Sequence, residues 1–322
     1  VIQVSGQIIA RFHRLAILLL AMSIFLEACT PAVTQSPAPA AITTRKIKVI
    51  ATTTILGDIV RQIGKEAIEL SILLPAGSDP HTFEPAPQDV IAVAEADLVF
   101  INGAGLEGFL ERLLETAGAT QVVSASDGVE LLQMTDDHTA AGSAGSETAD
   151  PHVWFNPQNV LIWTQNIERE LSDLDPANAE QYAANAEAYR AELHQLDAWI
   201  EEQVTLIPPA KRKLVTDHRT FGYFADRYGF EQVGAVIPSG SAAAEPSAAS
   251  LAALEDAIRE MGVQAIFTGT TVAPNLARRV AADTSVQLVT VYTDALTDPG
   301  GEAASYLDLM RYDVSAIVEA LK

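Results

Sequence analysis

The stretch "KRKLVTDHRTFGYFADRYGFEQVGAVI" (Lys211–Ile237) decides the fold class. It opens on an apolar run, "KLVTDH", that predicts a strand ending in a histidine. "FGYFADRYG" follows, with aromatic residues at helical spacing and a glycine where a helix would stop. "EQVGAVI" then predicts a second strand. Two strands separated by a helix cannot close as a hairpin. The crossover lays them parallel, with the helix on one face of the sheet.

The same alternation runs outward in both directions. Downstream, "SAASLAALEDAIREMG" predicts a helix capped near Glu245 or Ser247 and stopped at Gly262. The strand "VQAIFTG", the helix "PNLARRVAAD", the strand "QLVTVY" and a closing helix from Ala303 to Leu321 complete that half. Upstream, from Lys46, "IKVIATT", "IELSILLP", "DLVFING" and "QVVSAS" predict strands. They are interleaved with the helices "ILGDIVRQIG", "PQDVIAVAEA" and "EGFLERLLETA". Between the two sets, "PQNVLIWTQNIERELSDL" predicts a helix opened by Pro157. "PANAEQYAANAEAYRAELHQLDAWIEEQVTLI" predicts one of roughly 30 residues and about 45 Å, capped by Asp175 and ended by Pro208-Pro209.

The expected architecture is therefore α/β, with two lobes (46–174 and 208–322), each holding a mostly parallel sheet flanked by helices. One long rigid helix (175–207) joins them. "MTDDHTAAGSAGSETA" (Met134–Ala149) is polar and without period, and is expected to be a surface loop.

Residues 1–28 stand apart from this core. Arg11, His13 and Arg14 precede the apolar run "LAILLLAMSIFL" (Leu15–Leu26). That is the layout of a secretory signal, too short for a membrane span of about 20 residues. Cys29 is the sole cysteine and follows directly, a position similar to the lipobox of bacterial lipoproteins, from which Glu27 departs. The expectation is a lipidated Cys29 followed by a flexible Pro/Ala/Ser/Thr tether through residue 45. A single cysteine also excludes an intrachain disulfide, so packing must supply the stability.

In 322 residues, 48% are hydrophobic, enough for a substantial core, and the net charge of −22 excludes general nucleic-acid binding, which needs a basic footprint. The same charge raises the local concentration of cations.

Which side chains could use them? "SDPHTFEP" (Ser78–Pro85) and "ADPHVWFNP" (Ala149–Pro157) spell Asp-Pro-His twice. A histidine behind a proline sits on restrained backbone and is aimed rather than loose. Ligands in open parallel sheets bind beyond the carboxyl ends of the strands. His81 follows a predicted strand, His152 lies at the edge of the first lobe, His218 ends "KLVTDH" and Asp294 ends "QLVTVYTD". Each lobe contributes two. His13 falls in the signal, His138 in the loop and His194 inside the long helix among polar residues. Three imidazoles and a carboxylate suit a borderline divalent cation. No His-Glu-x-x-His motif is present. On spacing alone, four unrelated side chains explain the pattern as well as one site does. Asp217 could orient His218 through a hydrogen bond, or cap the helix that follows.

A resemblance decides between them. "LPAGSDPHTFEPAPQDV", "DPHVWFNPQNV", "LVTDHRTFGYFADRYGF" and "VYTDALTDPGGEAASYLDLMRYDVSAIVEAL" are similar, in order, to the four ligand segments of the solute-binding lipoproteins of bacterial zinc and manganese ABC transporters, some of them labelled adhesins. The resemblance implies a metal site of His81, His152, His218 and Asp294, and a receptor rather than an enzyme. It implies one Zn²⁺ per chain, with Mn²⁺ or Fe²⁺ as the alternative cargo and a zinc-dependent hydrolase as a more distant one. It implies a monomer outside the cytoplasm, at the periplasm or cell surface, anchored to the membrane through Cys29. Its partners would be a membrane permease and its ATPase. His218 stands where manganese-selective relatives usually carry Glu, which leans the site towards zinc. "FTGTTVAPN" (Phe267–Asn275) lacks the Glu-rich character common there, and the 134–149 loop lacks the usual histidines. Because a histidine must be neutral to ligate, metal affinity is expected to fall as pH drops below about 6.5.

Overall fold

A computed structural model describes residues 45–118, 121–134, 148–237 and 246–322. The signal-like segment 1–28, the candidate lipidation site Cys29, the tether to residue 44 and His138 lie outside the described residues.

From Lys46 to Lys322 the chain forms one compact unit. Its first half builds a parallel sheet from β1 (Ile47–Ala51), β2 (Ile68–Ile72), β3 (Leu98–Ile101) and β4 (Val122–Ser124), in the order β2-β1-β3-β4. The second half repeats that winding with β7 (Lys213–Thr216), β8 (Glu231–Ala235), β9 (Ala265–Thr268) and β10 (Gln287–Thr290), in the order β10-β9-β7-β8. In each sheet the chain runs from the first strand to one neighbour and then reverses to the other side. That reversal opens a crevice at the carboxyl edge between the first and third strands.

The crossovers are helical for readable reasons. In α1 (Thr54–Gly64) the Thr53 hydroxyl accepts the Leu56 N–H at the start. Pro87 opens α2 (Pro87–Glu95). Gly118 ends α3 (Leu110–Ala117) and Gly229 ends α6 (Gly222–Tyr228), each in the left-handed conformation. Ser247, one of the two residues expected at that cap, starts α7 (Ala248–Met261) by accepting the Ser250 N–H. α8 (Asn275–Thr284) leads into β10, and α9 (Tyr306–Leu321) closes the chain.

Two details differ from the sequence reading. The ends of the 134–149 segment are not loop: β5 (Gln133–Met134) pairs antiparallel with β6 (Thr148–Ala149). The long helix, preceded by α4 (Pro157–Leu174), is α5 (Ala179–Val204), and the Pro176–Asn178 turn ahead of it is a separate 3₁₀ segment. Asp175 therefore precedes that turn, while Asn178 precedes α5.

α5 is more than a free strut. Tyr182, Ala186, Tyr189, Leu193, Leu196, Ile200 and Val204 lie on one buried stripe. The stripe packs against α1 and α4 from the first half and α9 from the second. One inner hydrophobic cluster consequently runs through both halves, from Val49 and Ile55 through Trp163 and Leu193 to Phe267 and Leu309. Each sheet carries a separate, smaller cluster on its outer face, one around Val99 and the other around Ile266. Buried polar ties reinforce the join. The Tyr306 N–H donates to Asp58 Oδ2 at 2.9 Å, and the Leu296 N–H donates to Thr54 Oγ1 at 2.8 Å.

A core held in common predicts common unfolding. Leu196→Ala, emptying a fully buried site on α5, is expected to cost about 2–5 kcal/mol. Urea unfolding should show a single transition for both halves. Two separated transitions would show that each half carries its own stability.

Candidate metal centre

Four side chains from four segments meet at the facing carboxyl edges of the two sheets. One ligand atom from each of His81, His152, His218 and Asp294 lies within 4.8 Å of the others. His152, His218 and Asp294 are buried, while His81 is partly open and lines the side facing solvent.

The repeated Asp-Pro-His triplet is a device for aiming. In both copies the aspartate two residues ahead accepts the histidine's own N–H on Oδ1, from His81 to Asp79 at 2.8 Å and from His152 to Asp150 at 3.0 Å. The proline between them has fixed φ, so each turn has few ways to move. Asp150 Oδ1 also meets His152 Nδ1 at 2.8 Å. Its other oxygen occupies the space a side chain at Gly222 would fill, since a Cβ there would fall 2.3 Å from Oδ2.

His218 is held in the same way by its immediate neighbour. Asp217 Oδ1 meets His218 Nδ1 at 2.9 Å, and Asp217 Oδ2 accepts the Gly269 N–H at 2.6 Å. Of the two roles open to Asp217 on sequence, orienting the histidine is the one the structure displays.

These bonds settle the chemistry of the rings. A carboxylate at Nδ1 orients the ring, so that Nε2 is the nitrogen that His152 and His218 each turn to the centre. His81 Nε2 lies 3.1 Å from His152 Nε2. Asp294 Oδ1 lies 3.8 Å from His152 Nε2 and 3.7 Å from His218 Nε2. A tetrahedral zinc with bonds near 2.0–2.1 Å needs donor–donor edges of about 3.3 Å, close to this spread. His218 Nε2 and Asp294 Oδ1 are buried without a hydrogen-bond partner. Buried polar atoms seldom go unpaired, and these two lie 3.7 Å apart in the same cluster. Donor set and geometry fit a divalent cation.

Protonation follows from the same neighbours. Burial, reinforced by His152, lowers the His81 pKa to about 3, so that ring is neutral at physiological pH. For His218 burial opposes the charge, yet the carboxylates of Asp294 and Asp217 outweigh it and raise the pKa to about 10. Burial would raise Asp294, but His218 pulls it below the ordinary carboxylate range. The expectation of affinity falling only below pH 6.5 therefore changes: His218 must lose a proton to ligate even above neutrality.

Around the four lies a supporting ring that sequence reading left unassigned. Trp154 Nε1 donates to the Thr293 carbonyl at 3.1 Å, and the Tyr306 hydroxyl donates to the Trp154 carbonyl at 2.7 Å. Asp294 Oδ2 accepts from Thr293 Oγ1 at 2.6 Å and from Thr271 Oγ1 at 2.9 Å. Asp150 was legible as half of a repeated motif; Thr271 and Thr293 carried no signal beyond adjacency to a ligand or to a strand end. His194 is exposed on α5, outside the cluster.

A family model described as the periplasmic zinc-uptake complex component A matches residues 49–320. The chain is 34% identical over 276 residues to the manganese-binding lipoprotein MntA of Halalkalibacterium halodurans, covering 85% of this chain and 88% of that one. It is 32% identical over 285 residues to the manganese ABC transporter substrate-binding lipoprotein PsaA of Streptococcus pneumoniae, covering 86% and 90%. Its fold is similar to the Mn-bound periplasmic metal binding protein from Candidatus Liberibacter asiaticus, with a TM-score of 0.75 at 27% identity, covering 86% of this chain and 100% of that one.

The charge state of His218 sets a measurable sign. In the metal-free fold its raised pKa contributes stability that is present below about 6.5 and is lost as pH rises through about 10. Metal binding near pH 7 should release about one proton, and affinity should weaken about tenfold for each pH unit lowered. Calorimetry in buffers of different ionisation enthalpy measures the proton count. Release near zero would contradict the pairing of His218 with Asp294.

Proposed function

The chain belongs to the zinc-uptake complex component A family, whose members are receptors for metal transport rather than enzymes, and on that premise we propose that it captures one divalent transition-metal ion through His81, His152, His218 and Asp294. The ion is its cargo, delivered to the permease and ATPase of an ABC transporter. The carrying observation is the pair of buried, unpartnered atoms, His218 Nε2 and Asp294 Oδ1, in a cluster drawn equally from two sheet edges. Residues 46–174 and 208–322 act as the two lobes, and 175–207 as their link. The shared inner core limits their relative movement to a small adjustment.

Two observations bear on the cargo. Three imidazoles and one carboxylate favour zinc, because nitrogen-rich sets bind it more tightly than manganese. The relatives' names favour manganese, and a receptor's transport preference need not follow raw affinity. Outside the membrane the protein acts as a monomer held by lipid on Cys29, with the tether through residue 45 giving it reach.

Titration with zinc or manganese should give one ion per chain. His218→Ala should lose more than the roughly 10–100-fold that removing an outer-shell partner costs. Unchanged tight binding in that variant would remove His218 from the site. Competition at equal free metal, read beside uptake of each ion by cells, separates cargo from affinity. Cys29→Ala should move the protein from the membrane fraction to the soluble extracytoplasmic one; continued membrane association would reject the lipid anchor.

A further inference from the structure

The two oxygens of Asp294 are in different situations. Oδ1 is buried, faces the three histidines and has no hydrogen-bond partner. Oδ2 accepts two hydroxyl hydrogen bonds, from Thr293 at 2.6 Å and from Thr271 at 2.9 Å. A carboxylate with both oxygens free can chelate a cation and add a fifth donor. One whose second oxygen is already tied to two donors presents a single lone-pair-bearing oxygen to the ion.

We propose that Thr271 and Thr293 form a selectivity clamp: by holding Asp294 Oδ2, they restrict the carboxylate to one bond and keep the metal centre at four donors. Four donors complete the tetrahedral shell of zinc. Manganese favours more ligands and more oxygen, and loses most from the missing bond. The clamp rests on the metal-receptor reading and assigns its specificity to two residues that touch no metal.

The loop after β9 is shaped for this. Gly269, its first residue, donates its N–H to Asp217, the carboxylate that orients His218, while Thr271 two residues on reaches Asp294. A Cβ at Gly269 would fall 2.3 Å from Thr293 Oγ1, so the absence of a side chain there leaves the second hydroxyl its place. One short loop thus positions both ligands of the second half. Thr293 is almost fully buried, so water does not readily replace its hydroxyl.

Thr271→Val and Thr293→Val, singly and together, remove the hydroxyls at nearly constant shape; Thr→Ser at each position keeps them. The probes are Zn²⁺, Mn²⁺ and Co²⁺ alone, the last because its visible bands are intense when four-coordinate and weak at higher coordination. In the double valine variant the cobalt bands should lose intensity, and the ratio of manganese to zinc affinity should rise about tenfold. The serine variants should match the wild type in both. An unchanged spectrum and ratio in the folded double variant, or a parallel loss of both affinities, overturns the clamp. Should burial of Thr293 prevent folding, Thr271→Val, at a partly exposed position, gives the same readouts in the same directions. A wild-type protein that binds none of the three ions overturns the receptor reading itself, which is a separate outcome.

Discussion

Four polar side chains crowded into one buried point need a proton or a cation between them, and this constraint organises the rest of the molecule. Nε2 of His81 and His152 approach to 3.1 Å, and Asp294 Oδ1 completes the cluster from the other side. In water such groups would separate or protonate. Here each is held from behind: Asp150 and Asp217 grip the far nitrogens of their histidines, the Asp79 turn fixes the His81 backbone, and two threonines grip Asp294. The metal-free protein relieves part of the strain by keeping a proton on His218, which stands where cationic charge is wanted. On the metal-receptor reading, a bound ion would take the place of that proton and pair His218 Nε2 and Asp294 Oδ1 together.

Holding the four in place requires that the two sheet edges not drift. Ligand-binding proteins of two halves often achieve closure with a flexible hinge. This fold instead buries one hydrophobic cluster through both halves and backs it with α5. Ties between buried polar groups cross the same boundary close to the site, among them Trp154 to the Thr293 carbonyl and Tyr306 to the Trp154 carbonyl. The frame is preorganised, so little ordering remains to be done when the ion arrives. His81 is the most open of the four.

Much of this was legible from the residues in order. Apolar runs of strand length separated by helical periods made the parallel sheets readable, and glycines such as Gly229 and Gly262 marked helix ends because only an unbranched backbone turns there without cost. The four candidate ligands were readable because the chemistry of parallel sheets places ligands at one edge, and because Asp-Pro-His is written twice. The ends of the 134–149 segment were not, because a two-residue ladder is too short to show a period.

The sequence by itself therefore determined the element types and their parallel arrangement, which depend on local backbone preference and hydrophobic period, and offered four candidate donors at strand ends that the family resemblance joined into one site. Only the tertiary structure decided how those donors behave. The raised pKa of His218 depends on Asp294, far along the chain, beside its neighbour Asp217; the single free oxygen of Asp294 depends on Thr271 beside its neighbour Thr293; and the shared core depends on α5 touching helices from both halves. Electrostatic and hydrogen-bond effects fall off within a few ångströms of space rather than along the chain, so no reading of residues in order could assign them.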